Sequence, residues 1–391
     1  MKNKCLPLVV ILSISLFILP GCWDEVEIED RAFIAAVAID LAEDTGDETI
    51  IEMTEQIVVP AGLGTSTHPG TGKAYRNITR SGKSIYEINR DISRQESRIS
   101  NVEHLGLIIL SKEFAEQEGM LANILDVFIR QQYMRRGVMV AVTDTKAKDL
   151  LSVEVEHMKL PSINIIDMLE KDQTAVTKEP ARSGDVQEKL LSKRSYALPL
   201  LTILPDHTVE YEGIGVMAEE PSKLVGTLTD GDAKGRHFII GKSQRGSVIA
   251  EVDGELVTFD IILGNSKYTL TNSDKNSLAF TVDIELTVSI REYFGTKNLY
   301  KEEVKKEFQN ELEKEVKKLT HRALVKIKDE FQVDVLEVDR YLQIHHNQLW
   351  TEIKDNWDYG ENYFSQSEVT INVKTNVREP GASVKIKAKG E

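Results

Sequence analysis

Residues 105–151, LGLIILSKEFAEQEGMLANILDVFIRQQYMRRGVMVAVTDTKAKDLL, contain the pattern that decides the fold. The apolar run Leu105 to Leu110 has the length of a buried strand. A second set of apolar residues repeats at the spacing of one helix face: Leu121, Ile124, Leu125, Phe128 and Ile129. Val138 to Val142 then predicts another strand, and Ala147 to Leu151 another helix. Strands that alternate with helices predict an α/β or α+β unit that extends to about residue 170.

The segment before this stretch continues the same mixed pattern. Phe33 to Ile39 and Thr49 to Val59 predict two strands, because turn-forming residues separate them at 43–47. A helix is expected to begin near Ser84, where Ile85, Ile88 and Ile92 share one face. We therefore place residues 22–195 in an N-terminal α/β domain, whose polar stretch 172–194 is expected to be a surface loop or a domain boundary.

The segment after residue 195 predicts two further domains. Short β signals separated by Gly and Asp-Gly turns are dense over 196–275, which indicates a β-rich middle domain. Phe280 to Ile290 alternates between apolar and polar residues as a strand does, and a long amphipathic helix is expected after Gly295. We assign 276–380 to a C-terminal α/β domain and 381–391 to a tail. The whole is thus expected to be a three-domain protein of the α+β, mixed α/β, class.

The apolar stripe of the long helix allows two interpretations. Its members are mostly four residues apart: Val304, Phe308, Leu312, Val316, Leu319, Ala323, Ile327 and Phe331. Spacings of four drift around a helix and do not keep a coiled-coil seam, which favours packing of one face on a sheet. A helix that binds a partner is the alternative.

The first 21 residues have the composition of a signal peptide. Lys2 and Lys4 precede the apolar stretch Leu6 to Leu19, and Leu19-Pro20-Gly21-Cys22 ends it where a bacterial lipoprotein carries its lipid. We expect Cys22 to be the first mature residue and to carry an S-diacylglyceryl group, to which an N-acyl chain such as palmitate could be added. The sequence contains one other cysteine, Cys5, which cleavage would remove together with the signal peptide. An uncleaved membrane anchor is the weaker alternative, because the apolar stretch is shorter than a spanning helix.

The net charge limits the classes of partner. Lys and Arg number 48 against 63 Asp and Glu, a formal net charge of −15. Such a chain is repelled by the phosphates of nucleic acids and by anionic lipids, so we expect no nucleic-acid partner. Two acyl chains at Cys22 would be enough for stable attachment to a membrane.

The candidate motifs for catalysis, cofactor binding and metal binding are all incomplete. Gly82-Lys83-Ser84 has Asn77 where a phosphate-binding loop needs its first glycine. Asp230 to Gly235 begins like a calcium loop, but Lys234 occupies a ligand position, so an exposed turn is expected. His345-His346 is the one histidine pair, and adjacent side chains point in different directions. We predict no catalytic residue, no cofactor and no metal site.

The residues around Cys22 also resemble a known family. Gly21-Cys22-Trp23-Asp24, followed by Glu27-Ile28, is similar to the start of the Ger(x)C spore germination lipoproteins. The resemblance continues over nearly the whole chain, in Ala38-Ile39-Asp40, in Ser81-Gly82 to Leu151 with His104 and Phe128-Ile129-Arg130, in Gly213-Ile214-Gly215-Val216 and in the Trp350 to Trp357 region.

The resemblance implies a function without catalysis. It implies the C subunit of a nutrient germinant receptor, lipid-anchored on the outer face of the spore inner membrane, with three domains of mixed α/β structure. An A subunit and a polytopic, transporter-like B subunit would be its partners, and it would help assemble the receptor and transmit the germination signal. A substrate-binding lipoprotein of an uptake transporter is the alternative, and a lipid-anchored cell-wall hydrolase with two distant carboxylates is a third possibility.

Overall fold

The computed structural model describes residues 30–43, 48–64, 67–68, 70–130, 134–170, 181–242 and 245–378. The expected signal peptide (1–21), Cys22 and the tail 381–391 lie outside these residues. Helices and mixed sheets make up the described chain, which confirms the α+β class. Within the described residues, no helix is long and apolar enough to cross a membrane.

Nine strands of the described chain form the first sheet. They are β1 (Arg31–Leu41), β2 (Ile51–Val58), β3 (Tyr75–Gly82), β4 (Ile99–Asn101), β5 (Leu107–Ser111), β6 (Met139–Thr143), β7 (Tyr196–Ile203), β8 (Val209–Ala218) and β9 (Lys223–Thr229). The order in space is β3-β2-β1-β5-β6-β7-β8-β9, and β4 pairs with the start of β1. The central strands β1, β5, β6 and β7 are parallel, whereas the outer pairs are antiparallel.

Helices cover both faces of this sheet because parallel strands need crossover connections. They are α1 (Pro60–Leu63), α2 (Ile85–Ser93), α3 (Lys112–Ala115), α4 (Met120–Arg130), α5 (Ala147–Leu150), α6 (Pro161–Glu170) and α7 (Ser183–Leu191). One core contains side chains of α2 and α4, and the core on the other face contains side chains of α5 and α6. Every residue of β5 and β6 is therefore buried, as the continuous apolar runs predict.

The second sheet contains β10 (Ser247–Val252), β11 (Glu255–Asn272), β12 (Ala279–Tyr293) and β13 (Glu368–Val377), in that order. Two helices lie close to it, α8 (Asp230–Ile239) and α9 (Glu302–Val325), and a π-helical turn (Lys326–Phe331) extends α9. Three short helices follow, α10 (Val338–His345), α11 (Asn347–Ile353) and α12 (Tyr363–Gln366). The buried members of the apolar stripe, from Phe308 to Ile327, join the core of this sheet, which confirms the packing interpretation of the long helix.

A single hydrophobic core joins the two sheets. It contains Ile214, Val216 and Leu228 from the first sheet together with Phe259 and Val282 from the second. The ring of Phe331 also lies over Gly226 of β9, where a Cβ would meet it at 2.3 Å. Helix α8 lies between the two sheets, and its side chains Ala233, Phe238 and Ile239 belong to this shared core.

The structure does not follow the domain boundaries expected at 195/196 and 275/276. Strands β7 to β9, assigned to a separate middle domain, complete the first sheet, and β10 and β11 belong to the second sheet with β12. The hydrophobic pattern of a segment shows that it forms a strand but does not show which sheet the strand joins. The expected domain boundaries were therefore misplaced. The stretch expected to be a polar loop at 172–194 contains α7, whose residues Ser183, Gly184 and Val186 are buried.

The expected exposed turn at Asp230 to Gly235 is also wrong, because these residues form the first turns of α8. Asp232 is only 8% exposed, and it pairs with Arg322 at 2.8 Å and with Lys326 at 3.3 Å. Both cations come from α9 and its extension, about 90 residues further along the chain. A local sequence pattern cannot show such distant partners.

Candidate functional site

A buried polar junction connects the start of β7 to the loop 333–339 that follows α9. Asp334 lies at its centre and accepts hydrogen bonds from the backbone N–H groups of Leu336 at 2.9 Å and Asp339 at 2.7 Å. The indole Nε1 of Trp357 donates to the same carboxylate at 2.8 Å. The loop is therefore folded around one buried carboxylate.

Arg194 supplies the positive charge of the junction from the residue pair that precedes β7. Its Nη2 donates to Oδ1 of Asp339 at 2.8 Å, and its Nε donates to Oδ2 of the same carboxylate. The side chains are only 9% and 5% exposed. This two-point geometry fits the planar guanidinium group, and it links the first sheet to α10 of the second half.

Further hydrogen bonds connect the loop 333–339 to three other segments of the chain. Oδ2 of Asp358 accepts from the backbone N–H of Asp334 at 3.0 Å. Arg236 of α8 donates to the carbonyl oxygen of Val335 at 2.8 Å, and Tyr268 of β11 donates to that of Leu336 at 2.8 Å. Four separate segments thus hold the loop 333–339 in place.

Burial controls the charge of the acidic groups here. It raises the pKa of Asp334 to about 7, and the nearby negative charge of Asp339 acts in the same direction. The hydrogen bonds from the Asp339 amide and the Trp357 indole oppose this rise. Burial also raises the pKa of Asp358. A carboxyl with a pKa near neutrality in a closed junction reflects desolvation more than reactivity.

A cavity of about 60 Å³ adjoins the junction, lined in part by Asp185, Lys189 and Arg194. Ligand pockets usually measure about 300–1,000 Å³. The cavity is well below that range. The junction is therefore suited to holding elements together and is too small to bind a nutrient.

The two residues of the histidine pair both lie against Tyr341. Nε2 of His346 lies 3.1 Å from the hydroxyl of Tyr341, and the His345 ring stacks near the same tyrosine with centroids 5.2 Å apart. Within the described ranges, no group of three or more His, Cys, Asp or Glu side chains is arranged to hold a metal ion.

Asp40 of the predicted Ala38-Ile39-Asp40 segment also has a structural position. Its buried carboxylate accepts from the backbone N–H groups of Ala147 at 2.7 Å and Lys148 at 3.0 Å. These are unsatisfied donors at the start of α5, so Asp40 stabilises that helix start from a distant strand.

Sequence analysis did not identify the Asp334 junction. The signal it left is one acidic residue inside the apolar run Val333-Asp334-Val335-Leu336.

The fold and the junction define a two-sheet α+β protein that is assembled around a buried polar anchor and has no ligand pocket at that anchor. The chain belongs to the Ger(x)C family of spore germination proteins. The family model for the spore germination protein N-terminal domain matches residues 24–203, and the model for the spore germination B3/GerAC-like C-terminal domain matches residues 212–381. The family is one of germinant receptor subunits and is not a known enzyme family.

Individual relatives agree with this assignment over almost their full length. Spore germination protein YndF of Bacillus subtilis (strain 168) is 27% identical over 403 residues, covering 96% of this chain and 98% of the relative. Spore germination protein A3 of the same organism is 26% identical, with 95% and 97% covered. The crystal structure of the GerBC protein matches with a TM-score of 0.60 at 19% identity, over 88% of this chain and 97% of that one, and supports the fold.

Proposed function

We propose that this chain is the lipid-anchored C subunit of a spore nutrient germinant receptor. One observation carries the proposal: the germination family models begin at residue 24, two positions after Cys22, and continue in order to residue 381. A germination protein that starts directly at a lipoprotein-type cysteine fits a subunit attached by acyl chains at Cys22. A role in spore germination follows from the family, and the anchor is the proposed part.

The tether sets how the described domains would lie above the membrane. Arg31 follows Cys22 by nine positions, and an extended chain spans at most about 3.3–3.6 Å per residue, so β1 begins within about 30 Å of the lipid. The starts of β5, β6 and β7 lie at the same end of the sheet because these strands are parallel to β1. This end of the first sheet would face the outer surface of the spore inner membrane.

The partners would be an A subunit and a transporter-like B subunit of the receptor. The buried junction gives this subunit one fixed arrangement of its two sheets, as a part that aligns other subunits requires. In this proposal, the subunit assembles the receptor and transmits the signal, and a nutrient binds elsewhere. The −15 net charge also argues against nucleic acid as a partner.

Affinity capture of the tagged chain from detergent-solubilised spore membranes tests the proposal, followed by mass spectrometry of the bound proteins. Recovery of a transporter-like protein and a second receptor subunit is expected. Recovery of a transport ATPase with its permease would instead indicate the binding lipoprotein of an uptake system.

The anchor is tested with a matched pair of cysteine variants. Cys22→Ala should move the protein from the membrane fraction to the soluble fraction and reduce germination. Cys5→Ala changes a residue of the expected leader and should leave the membrane fraction unchanged. A Cys22→Ala protein that remains in the membrane fraction with full germination would contradict the lipid anchor.

A further inference from the structure

Three large apolar side chains are exposed together at one end of the second sheet. Ile249 of β10 is 54% exposed, Leu256 of β11 is 63% exposed and Phe294, directly after β12, is 79% exposed. We call these three residues the apolar tip. Single exposed apolar residues are ordinary on a protein surface, whereas a contiguous group marks an interaction site.

The strand register shows that the apolar tip is contiguous. Val257 lies opposite Tyr293, so Leu256 and Phe294 are neighbours on adjacent chains. Ile249 lies directly opposite Thr258. Thr258 and Leu256 are two residues apart on the same face of β11, so Ile249 is a diagonal neighbour of Leu256 on that outer face. The ring of Tyr293 packs on Phe308 in the core, with centroids 5.0 Å apart, whereas Phe294, directly after the strand, is exposed.

Acidic side chains surround the apolar tip. Glu251 lies directly opposite Leu256, Glu292 lies opposite Thr258, and Glu255 is exposed at the start of β11. Two neighbouring cations are paired with other carboxylates. Arg291 lies 2.5 Å from Asp260, and Lys297 lies 2.5 Å from Glu307 and also contacts Asp253.

This combination of charges selects one kind of partner. An anionic lipid surface would be repelled by the acidic rim, as it is by the net charge of the whole chain. A protein surface with an apolar centre and a rim of Lys or Arg would match both the centre and the rim. In the described part of the sheet, β10 is also the outermost strand on this side, and such an edge offers backbone donors and acceptors to a partner.

We propose that the apolar tip docks another subunit of the receptor through an apolar surface with a basic rim on that subunit. The inference rests on the proposed receptor function and names the surface that makes the contact. The tip lies far from the Asp334 junction: Phe280, near the start of β12, contacts Trp357 with ring centroids 6.4 Å apart. The rise of a strand, about 3.3 Å per residue, puts Phe294 of the tip about 45 Å further along β12. Substitutions at the tip should therefore leave the junction intact.

The test compares tagged full-length variants captured from detergent-solubilised spore membranes. A Leu256→Glu, Phe294→Glu double variant should retain about tenfold less of the other receptor subunits than the unchanged chain, because central apolar residues dominate interface energies. Ile344→Glu is the matched control, since Ile344 of α10 is 61% exposed and lies away from the tip. Circular dichroism of each variant checks that it is folded.

The acidic rim has its own test. A Glu251→Lys, Glu255→Lys variant should also lose the receptor subunits, and retention by the unchanged chain should decrease as salt increases. A photo-crosslinking amino acid at position 294 should form an adduct with a receptor subunit, whereas the same group at Tyr86, which is 64% exposed on α2, should not.

The outcomes separate the two proposals. If the unchanged chain retains no receptor subunit, both the receptor function and the docking surface are wrong. If it retains the subunits and the double variant retains them equally, the docking surface alone is wrong. Binding of the full-length Cys22→Ala chain to vesicles of phosphatidylcholine and phosphatidylglycerol, lost on Phe294→Glu, would assign the tip to the membrane and also overturn the proposal.

Discussion

Two buried carboxylates, those of Asp40 and Asp334, are held mainly by backbone amides. Asp40 accepts two N–H groups at the start of α5, and Asp334 accepts those of its own loop. Hydrogen bonds to an ionised carboxylate offset part of the cost of removing it from water. Asp339 differs because a buried cation, Arg194, also compensates its charge.

Removing Arg194 should be strongly destabilising. Arg194→Ala leaves Asp339 buried without its cation, and breaking a buried pair from one side costs about 3–5 kcal/mol. Arg291→Ala is the control, because its partner Asp260 lies in a pair whose side chains are 65% and 31% exposed, and such pairs contribute about 0–1 kcal/mol. Urea unfolding of both variants measures the difference. Equal losses of unfolding free energy would contradict the role given to the junction.

Glu55 should make stability depend on pH. Burial in the core under α2 raises its pKa from 4.5 to about 7, and the nearby negative charge of Glu96 acts in the same direction. The folded state therefore holds the proton more tightly than the unfolded state, so this contribution to stability is complete below pH 4.5 and is lost as the pH rises through about 7.

Glu55→Gln should remove this dependence. Between pH 5 and pH 8, the unchanged protein should lose up to about 3 kcal/mol more unfolding free energy than the variant. Urea midpoints at the two pH values provide the measurement. Glu116→Gln, at a carboxylate whose side chain is 47% exposed, should keep the slope of the unchanged protein. An unaltered slope in Glu55→Gln would show that Glu55 is not the titrating group.

Residue roles were only partly predictable from the sequence. The lipid attachment at Cys22 rests on a motif that is local in the chain, and it stays a prediction because the residue lies outside the described ranges. The junction could not be identified, because Arg194 and Asp339 are 145 positions apart and each looks like an ordinary surface charge in sequence. Charged pairs of this kind become visible only when the fold brings the two segments together.

At the scale of elements, the close contact between α8 and α9 depends on a glycine, Gly235, which has no side chain. A Cβ on Gly235 would lie 2.1 Å from the carbonyl oxygen of Leu319 and 2.9 Å from Cβ of Ala323. The two helices therefore approach each other along Gly235, and the same approach brings Arg322 to Asp232. The glycine is a packing requirement and not a turn residue, which explains why the sequence pattern was misinterpreted there.

Gly235→Ala should separate these helices. Alanine is the better helix former, by about 1 kcal/mol, yet overpacking of a tight contact costs typically 1–3 kcal/mol and a backbone oxygen cannot move aside easily. We expect a net loss of stability and a lower thermal midpoint. Gly137→Ala is the control, since its nearest contact would be Arg182 Nη1 at an ordinary 3.6 Å. A Gly235→Ala protein as stable as this control would contradict the close-packing argument.

Element type was predictable where periodicity is strong. The alternation of Phe280 to Ile290 and the stripe of the long helix correspond to β12 and α9, because one face of each element is buried in the same core. Phe238 to Ile240 looked like a strand but ends α8, since three apolar residues have no distinguishing period. Sheet membership was not predictable, because a strand pattern does not show which strand a segment pairs with, and β7 and β11, from one expected domain, belong to different sheets.

At the scale of the whole molecule, the second family domain contributes strands to both sheets. The matched ranges meet between residues 203 and 212, within the first sheet, and strands from both sides of that boundary pair there as β7 and β8. Met217 and Leu224 of the second range join the core of the first range, and the Arg194–Asp339 pair also connects the two ranges. Domains joined by a large apolar interface are expected to behave as one unit.

The two halves should consequently unfold together. Trp350 and Trp357 both lie in the second half, so fluorescence of a Trp23→Phe chain reports on that half, whereas far-UV circular dichroism reports on all elements. We expect the two signals to give one coincident urea transition, which is the test of two-state unfolding. Arg194→Ala should shift both signals to lower urea by the same amount, because the pair belongs to the contact between the halves. Two separated transitions, or a shift confined to the fluorescence signal, would show that the halves are independent and that the subunit could not transmit a change from one sheet to the other as a rigid body.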